Sequence, residues 1–173
     1  MHRISILFQL SWLIALSGCG DSASVIGLKA TQAPPMKVVE GPGFTIQIPE
    51  DWSSENDGSK LIVTAPPEEC RCRFVVEVQP YQMGETSDNL FEPEKKRRKT
   101  LRNADHQLGE LSGMPYYRCL YARNPKEQLF DSGTYLVAYP GRKVIGTIEW
   151  GSMKDVISSL VPIELSMMSV TVR

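Results

Sequence analysis

Apolar and polar residues alternate over Phe44-Thr45-Ile46-Gln47-Ile48, and Pro49 stops the run, so the pattern predicts a half-buried strand with Trp52 close behind it. Leu61-Ile62-Val63 predicts a second, short strand ended by Pro66-Pro67. The third is the longest, from Cys70 to Gln79, with Cys70, Cys72, Phe74, Val76 and Val78 on one face and Arg71, Arg73, Glu77 and Gln79 on the other. Short turns between them predict an antiparallel meander. From Thr86 the period changes. Ser87 or Asp88 is placed to cap a helix running to about Asn103, with a thin apolar stripe of Leu90, Phe91 and Leu101. Four further strands are predicted at 107–111, 116–123, 133–139 and 143–150, joined as consecutive hairpins through Gly113 and Pro140-Gly141. Gly146 marks a bulge or the close packing of a helix. Met153, Val156, Ile157, Leu160 and Val161 then follow helical spacing, with a break expected at Pro162 before Leu165 and Met168. The elements sum to an α+β domain, a central antiparallel β-sheet flanked by helices.

The pattern before Phe44 is of another kind. His2 and Arg3 precede a mostly apolar run, 4–15, and Leu16-Ser17-Gly18-Cys19 closes it. That layout is an export signal, and the run is short of the roughly 20 residues that span a bilayer. An ordinary secretory signal has no use for a thiol at this place. A lipoprotein signal needs one as the acceptor of diacylglycerol, so Cys19 is the expected lipidation site and 1–18 the expected leader. Acyl chains such as palmitate contribute about 0.8 kcal/mol per buried methylene, which makes the anchor essentially permanent. Residues 19–42 contain Pro34-Pro35 and Gly41-Pro42 and read as a flexible tether, within which Lys37-Val38-Val39-Glu40 is available as an edge strand. The folded domain is expected over 43–173, exported and facing the periplasm or the exterior of a bacterial envelope.

Charge changes this picture little. The whole chain has a formal net charge of −1, and losing the leader removes Arg3 alone among the charged residues. No nucleic-acid footprint appears. The run Lys95-Lys96-Arg97-Arg98-Lys99 points all round a helix, so it reads as a solvated surface, with anionic lipid head groups as the alternative contact. Three cysteines remain after Cys19. In an oxidising compartment Cys70, Cys72 and Cys119 suggest one disulfide and one spare thiol, with Cys72 to Cys119 the preferred pairing. Such a bridge closes a loop of about 50 residues, worth about 4 kcal/mol in the chain-entropy model.

Chemistry is sparse. His106 is the single histidine beyond the leader, in a segment read as a polar connection, which excludes multi-histidine zinc sites. No serine stands in a Gly-x-Ser-x-Gly elbow. Cys70-x-Cys72, with Cys119 as a third ligand, is the one arrangement suited to a soft metal such as copper(I) or to thiol redox work. Trp52, Tyr116, Tyr117, Tyr121, Tyr135, Tyr139 and Trp150 supply core, or alternatively the lining of a small-molecule cleft. No cofactor and no metal is implied.

The strand 44–49 with Pro49 and the closely following Trp52 resembles the opening signature of the PsbP-like superfamily. The mid-chain helix, the hairpin at Gly113-Met114-Pro115-Tyr116-Tyr117, the strand pair within 133–150 and the terminal helix ending in Met167-Met168-Ser169 continue that resemblance over most of 43–172. It implies an α-β-α sandwich and no catalytic residue, because characterised members act largely as accessory and docking proteins. The sequence therefore predicts a membrane-tethered, non-enzymatic interaction domain with an envelope protein partner. A thiol-redox or copper-handling lipoprotein is the competing reading, and small-molecule binding is a third.

Overall fold

The computed structural model describes residues 33–86, 88–98, 104–124 and 130–173, with backbone alone at 97 and 98. The leader, Cys19 and most of the tether lie outside these residues, as do Ser87, Lys99 and Leu101.

Ten strands and two helices are described. A three-stranded sheet joins β1 (Met36–Gly41), β2 (Phe44–Pro49) and β10 (Thr171–Val172) in the order β1-β2-β10. The larger sheet holds β3 (Ser53–Asn56), β4 (Leu61–Thr64), β5 (Cys72–Pro80), β6 (Ala104–Leu111), β7 (Met114–Tyr121), β8 (Ser132–Tyr139) and β9 (Arg142–Trp150), ordered β3-β4-β5-β9-β8-β7-β6 with every pair antiparallel. The helices are α1 (Glu92–Arg98) and α2 (Met153–Met168). The edge-strand option for residues 37–40 is thus realised as β1, paired along its whole length with β2.

Two adjacent rows across the large sheet define its sides, because residues opposite one another in antiparallel strands point the same way. Val63, Phe74, Ile148, Gly133, Leu120 and Asp105 form one row. Ile62, Val75, Thr147, Thr134, Cys119 and His106 form the next, facing the other way. The first side is the main core: Phe74, Val63 and Ile148 pack with Phe44, Ile46 and Ile48 of β2 and with Val156, Ile163 and Met167 of α2. Gly146 lies beneath that helix, where a Cβ would stand 3.0 Å from both Met167 Sδ and a Phe74 ring carbon, so close helix packing is the reason for the glycine. The second side buries a smaller cluster, Tyr117, Cys119, Leu136 and Ala138, under Leu90 and Phe91.

Four expectations are corrected. β2 leaves the predicted meander for the small sheet, since its apolar face covers the large sheet and cannot also lie within it. β3 lies where a turn was expected; its four polar, exposed residues pair with β4 and give no alternation to read. The mid-chain helix starts at Glu92 instead of at a Ser87 or Asp88 cap, after a turn in which Thr86 O accepts from Asn89 N and Leu90 N, and its expected end near Asn103 lies outside the described residues. Finally, α2 runs through Pro162 instead of breaking there. Interior proline costs about 3 kcal/mol, and burial of Ile163, Ser166 and Met167 just beyond it offsets that loss.

Candidate functional site

Of the expected site residues, Cys70 and Cys72 come together and Cys119 does not join them. Cys72 opens β5 opposite Trp150, on the α2 side. Cys119 faces the other side and is three strands away, about 14 Å across the sheet at the usual strand spacing. The Cys72 to Cys119 disulfide is therefore not formed, and all three cysteines are free and buried. The same separation removes Cys119 from any three-thiolate metal site.

The Cys70-Cys72 corner is where α2 is fastened to the sheet. Ser152 caps the helix, its Oγ accepting from Asp155 N and donating to Asp155 Oδ2 at 2.7 Å. Asp155 Oδ1 accepts from Arg71 N at 3.0 Å, and its carbonyl accepts from Ser159 Oγ at 2.6 Å and from Cys70 Sγ at 3.5 Å. Trp150 Nε1 in turn donates to Ser159 Oγ at 2.7 Å. Burial alone would raise the Asp155 carboxyl, but the Arg71 and Ser152 hydrogen bonds outweigh it and hold the carboxyl below its ordinary range. Burial pushes the Cys72 thiol up to about 12, only partly opposed by a hydrogen bond with Ser159. A thiol so raised is overwhelmingly protonated at neutral pH, and protonated thiols neither attack disulfides nor bind soft metals. This geometry serves to fasten a helix.

Other residues singled out from the sequence also have structural roles. His106 sits on strand β6 instead of in a connection, with Nδ1 2.7 Å from Tyr117 Oη and the two rings stacked at a centroid distance of 6.0 Å. Lys95 pairs with Glu92 at 2.7 Å on α1, so this part of the basic run is already balanced locally. Trp52, Tyr116, Tyr135, Tyr139 and Trp150 belong to the main core and Tyr117 and Tyr121 to the smaller one, so the aromatics are divided by the sheet and do not line a common cleft.

Two features escaped the sequence reading. Arg118 ties β7 to α2 and β6: Nη1 meets Glu164 Oε1 at 2.5 Å, Nη2 meets Asp105 Oδ2 at 2.9 Å, and Tyr135 Oη donates to Glu164 Oε1 at 3.2 Å. Burial, with the negative Glu164 beside it, pushes the Tyr135 hydroxyl far above its ordinary range, so it remains a donor. The second feature is α2's other face. Val156, Ser159, Ile163 and Met167 are buried, yet the opposite stripe also carries apolar side chains, with Ile157 53%, Val161 44% and Met168 46% exposed. Lys154 and Ser158 share that exposed face, so the outward stripe is apolar at these three positions and polar between them. The signal was present in the spacing of residues 157, 161, 165 and 168, but periodicity alone does not say which apolar stripe faces inward.

No protein-family model matches the chain, and no curated protein matches it. Solved structures do. A Bacteroides thetaiotaomicron crystal structure superposes with a TM-score of 0.53 at 13% identity over 82% of this chain and 49% of its own, so the chain spans about half the length of that protein. LpqN, a Mycobacterium tuberculosis protein involved in cell envelope biogenesis, superposes at 0.52 with 12% identity over 80% of this chain and 90% of its own. The cyanobacterial PsbP protein CyanoP from Synechocystis is also returned, at 0.47 and 12% identity over 87% of this chain and 98% of its own. The chain shares its fold with the first two.

Proposed function

We propose that this chain is a PsbP-like α-β-α domain, tethered to a bacterial membrane through a lipid on Cys19, that works as a non-enzymatic interaction or accessory domain of the cell envelope. The observation that carries this reading is helix α2, whose inward stripe completes the core and whose outward stripe of Ile157, Val161 and Met168 is left for a contact beyond the domain. Two facts support it from outside the helix. The 16–19 pattern resembles a lipoprotein signal whose cysteine would accept the lipid, and LpqN, which has the same fold, is involved in envelope biogenesis. Among the described residues no helix is long and apolar enough to cross a membrane, so the tether would supply the attachment.

The thiol-redox and copper readings lose their motivation from the placement of Cys119 and the raised Cys72 thiol. Cell fractionation tests the proposal. The full chain produced in a bacterium that processes lipoproteins should remain with membranes, and Cys19→Ser should move it, still folded, to the soluble fraction. A folded Cys19→Ser chain that stays with membranes contradicts the lipid tether.

A further inference from the structure

We propose that the outward face of α2, with Val38 across β2 from it, docks on the surface of the bilayer to which the chain is tethered; this rests on the lipid-anchor reading of Cys19. The geometry begins with one layer. Gln47 N in β2 donates to Ser169 Oγ at the end of α2 at 2.7 Å, so strand and helix lie side by side over the large sheet. Val39 of β1 packs against the core while its neighbour Val38, paired with Gln47, is 66% exposed. Val38, Ile157, Val161 and Met168 therefore face away from the core on the same layer, and they are four of the six large apolar side chains exposed among the described residues.

The tether selects the occupant. It enters the domain at Met36, the first residue of β1, so it is rooted in this layer and not on the α1 side of the sheet. Pro35 O accepts from Glu50 N at 2.9 Å, so the chain is fastened before β1 begins, and 13 residues, 20–32, separate Cys19 from the first described residue; a random chain of that length spans about 20 Å. An anchor that short, rooted there, brings the α2 layer to the bilayer. Area points the same way. The outward face of a helix of this length covers about 240 Å², well below the roughly 800 Å² per partner of a stable protein interface. A few apolar side chains at the head-group level suffice when a lipid chain already supplies the affinity. Of the charges on this layer, Lys154 stands at the start of the stripe, Glu164 on its flank is held by Arg118, and Glu40, on the face of Val38, is paired with Arg173 at 2.8 Å. A lysine beside apolar residues suits an anionic lipid surface.

Photolabelling reads the contact. The full lipidated chain is placed in vesicles of phosphatidylethanolamine and phosphatidylglycerol containing a photoactivatable phospholipid, and the adducts are mapped by mass spectrometry. Adducts should concentrate in 153–168 and at Val38 and be sparse over β3 and β4. Ile157→Ser with Val161→Ser should cut labelling of α2 about tenfold while the chain stays on the vesicles, and Val38→Ser, at an exposed strand position, should cut labelling of β1. Even labelling over the whole surface, or crosslinks from α2 to a second copy or to another protein in its place, overturns the inference while leaving the anchor intact. A chain that never associates with the vesicles instead overturns the anchor reading itself, and this inference with it.

Discussion

On the α2 side of the large sheet, Val63, Phe74 and Ile148 are wholly buried under a 16-residue helix and a second sheet. On the other side, Tyr117, Cys119 and Leu136 are covered by Leu90 and Phe91 from a turn, followed by a seven-residue helix. The first side is held by a large apolar area. The second adds a polar latch: Lys143 Nζ, on a side chain 8% exposed, meets both Glu85 carboxylate oxygens at 2.9 Å, and Gln82 N donates to the same carboxylate at 2.7 Å. Among the described residues few apolar side chains hold 88–98, and a segment so held opens locally at less cost than global unfolding. This difference predicts a rigid layer on one side of the sheet and a separately releasable one on the other.

The comparison can be broken most directly by cavities. Phe74→Ala should cost about 3–5 kcal/mol, measured by urea unfolding, with the whole domain losing stability together. Leu90→Ala should cost about 2 kcal/mol, mostly as easier opening of 86–98; an equal loss spread over the whole domain would show that the two sides are one cooperative unit. Next in size is the latch. Glu85→Gln leaves Lys143 buried without its counter-charge and should cost about 2 kcal/mol at neutral pH. Glu85 is held below its ordinary carboxylate range, chiefly by the Lys143 hydrogen bond. Its contribution is therefore complete above the unfolded value of about 4.3 and lost as pH falls through the lower folded value, so wild type and Glu85→Gln should converge in acid. Convergence at high pH instead would contradict the assignment. The smallest effect is expected at the outward stripe: Ile157→Ser or Val161→Ser should change stability by no more than about 0.5 kcal/mol, which separates contact from core.

The sequence made the α2 side legible because two clear periods meet there. Phe44, Ile46 and Ile48 alternate, Val156 falls in a helical period, and Gly146 between them marks the close approach, whereas the buried Ile163 and Met167 lie past the expected break at Pro162 and were not read as its continuation. Pro162 misled, because propensity is local and the burial that overrides it is not. The other side was harder to read. β3 is polar throughout, β6 is exposed along most of its length, and their pairing is set by neighbours that sequence spacing does not reveal. The Cys72 to Cys119 pairing failed for a related reason: alternation shows which residues share a face of one strand, but not how the faces of β5 and β7 correspond across the two intervening strands. Arg118 was missed because its partners Asp105 and Glu164 are distant in sequence, and the outward stripe of α2 was read as part of its inward one.

Thiol counting offers a quick supplementary check, with three unreactive thiols beyond Cys19 expected in the folded chain and all three reacting after denaturation. The most direct test of the two-layer account is residue-resolved amide hydrogen exchange on the soluble Cys19→Ser chain. The account predicts that amides of α2, β5, β8 and β9 exchange only at the rate of global unfolding, and that those of 88–98 exchange earlier, and earlier still in Glu85→Gln. Protection of 88–98 equal to that of α2 in both proteins would contradict it.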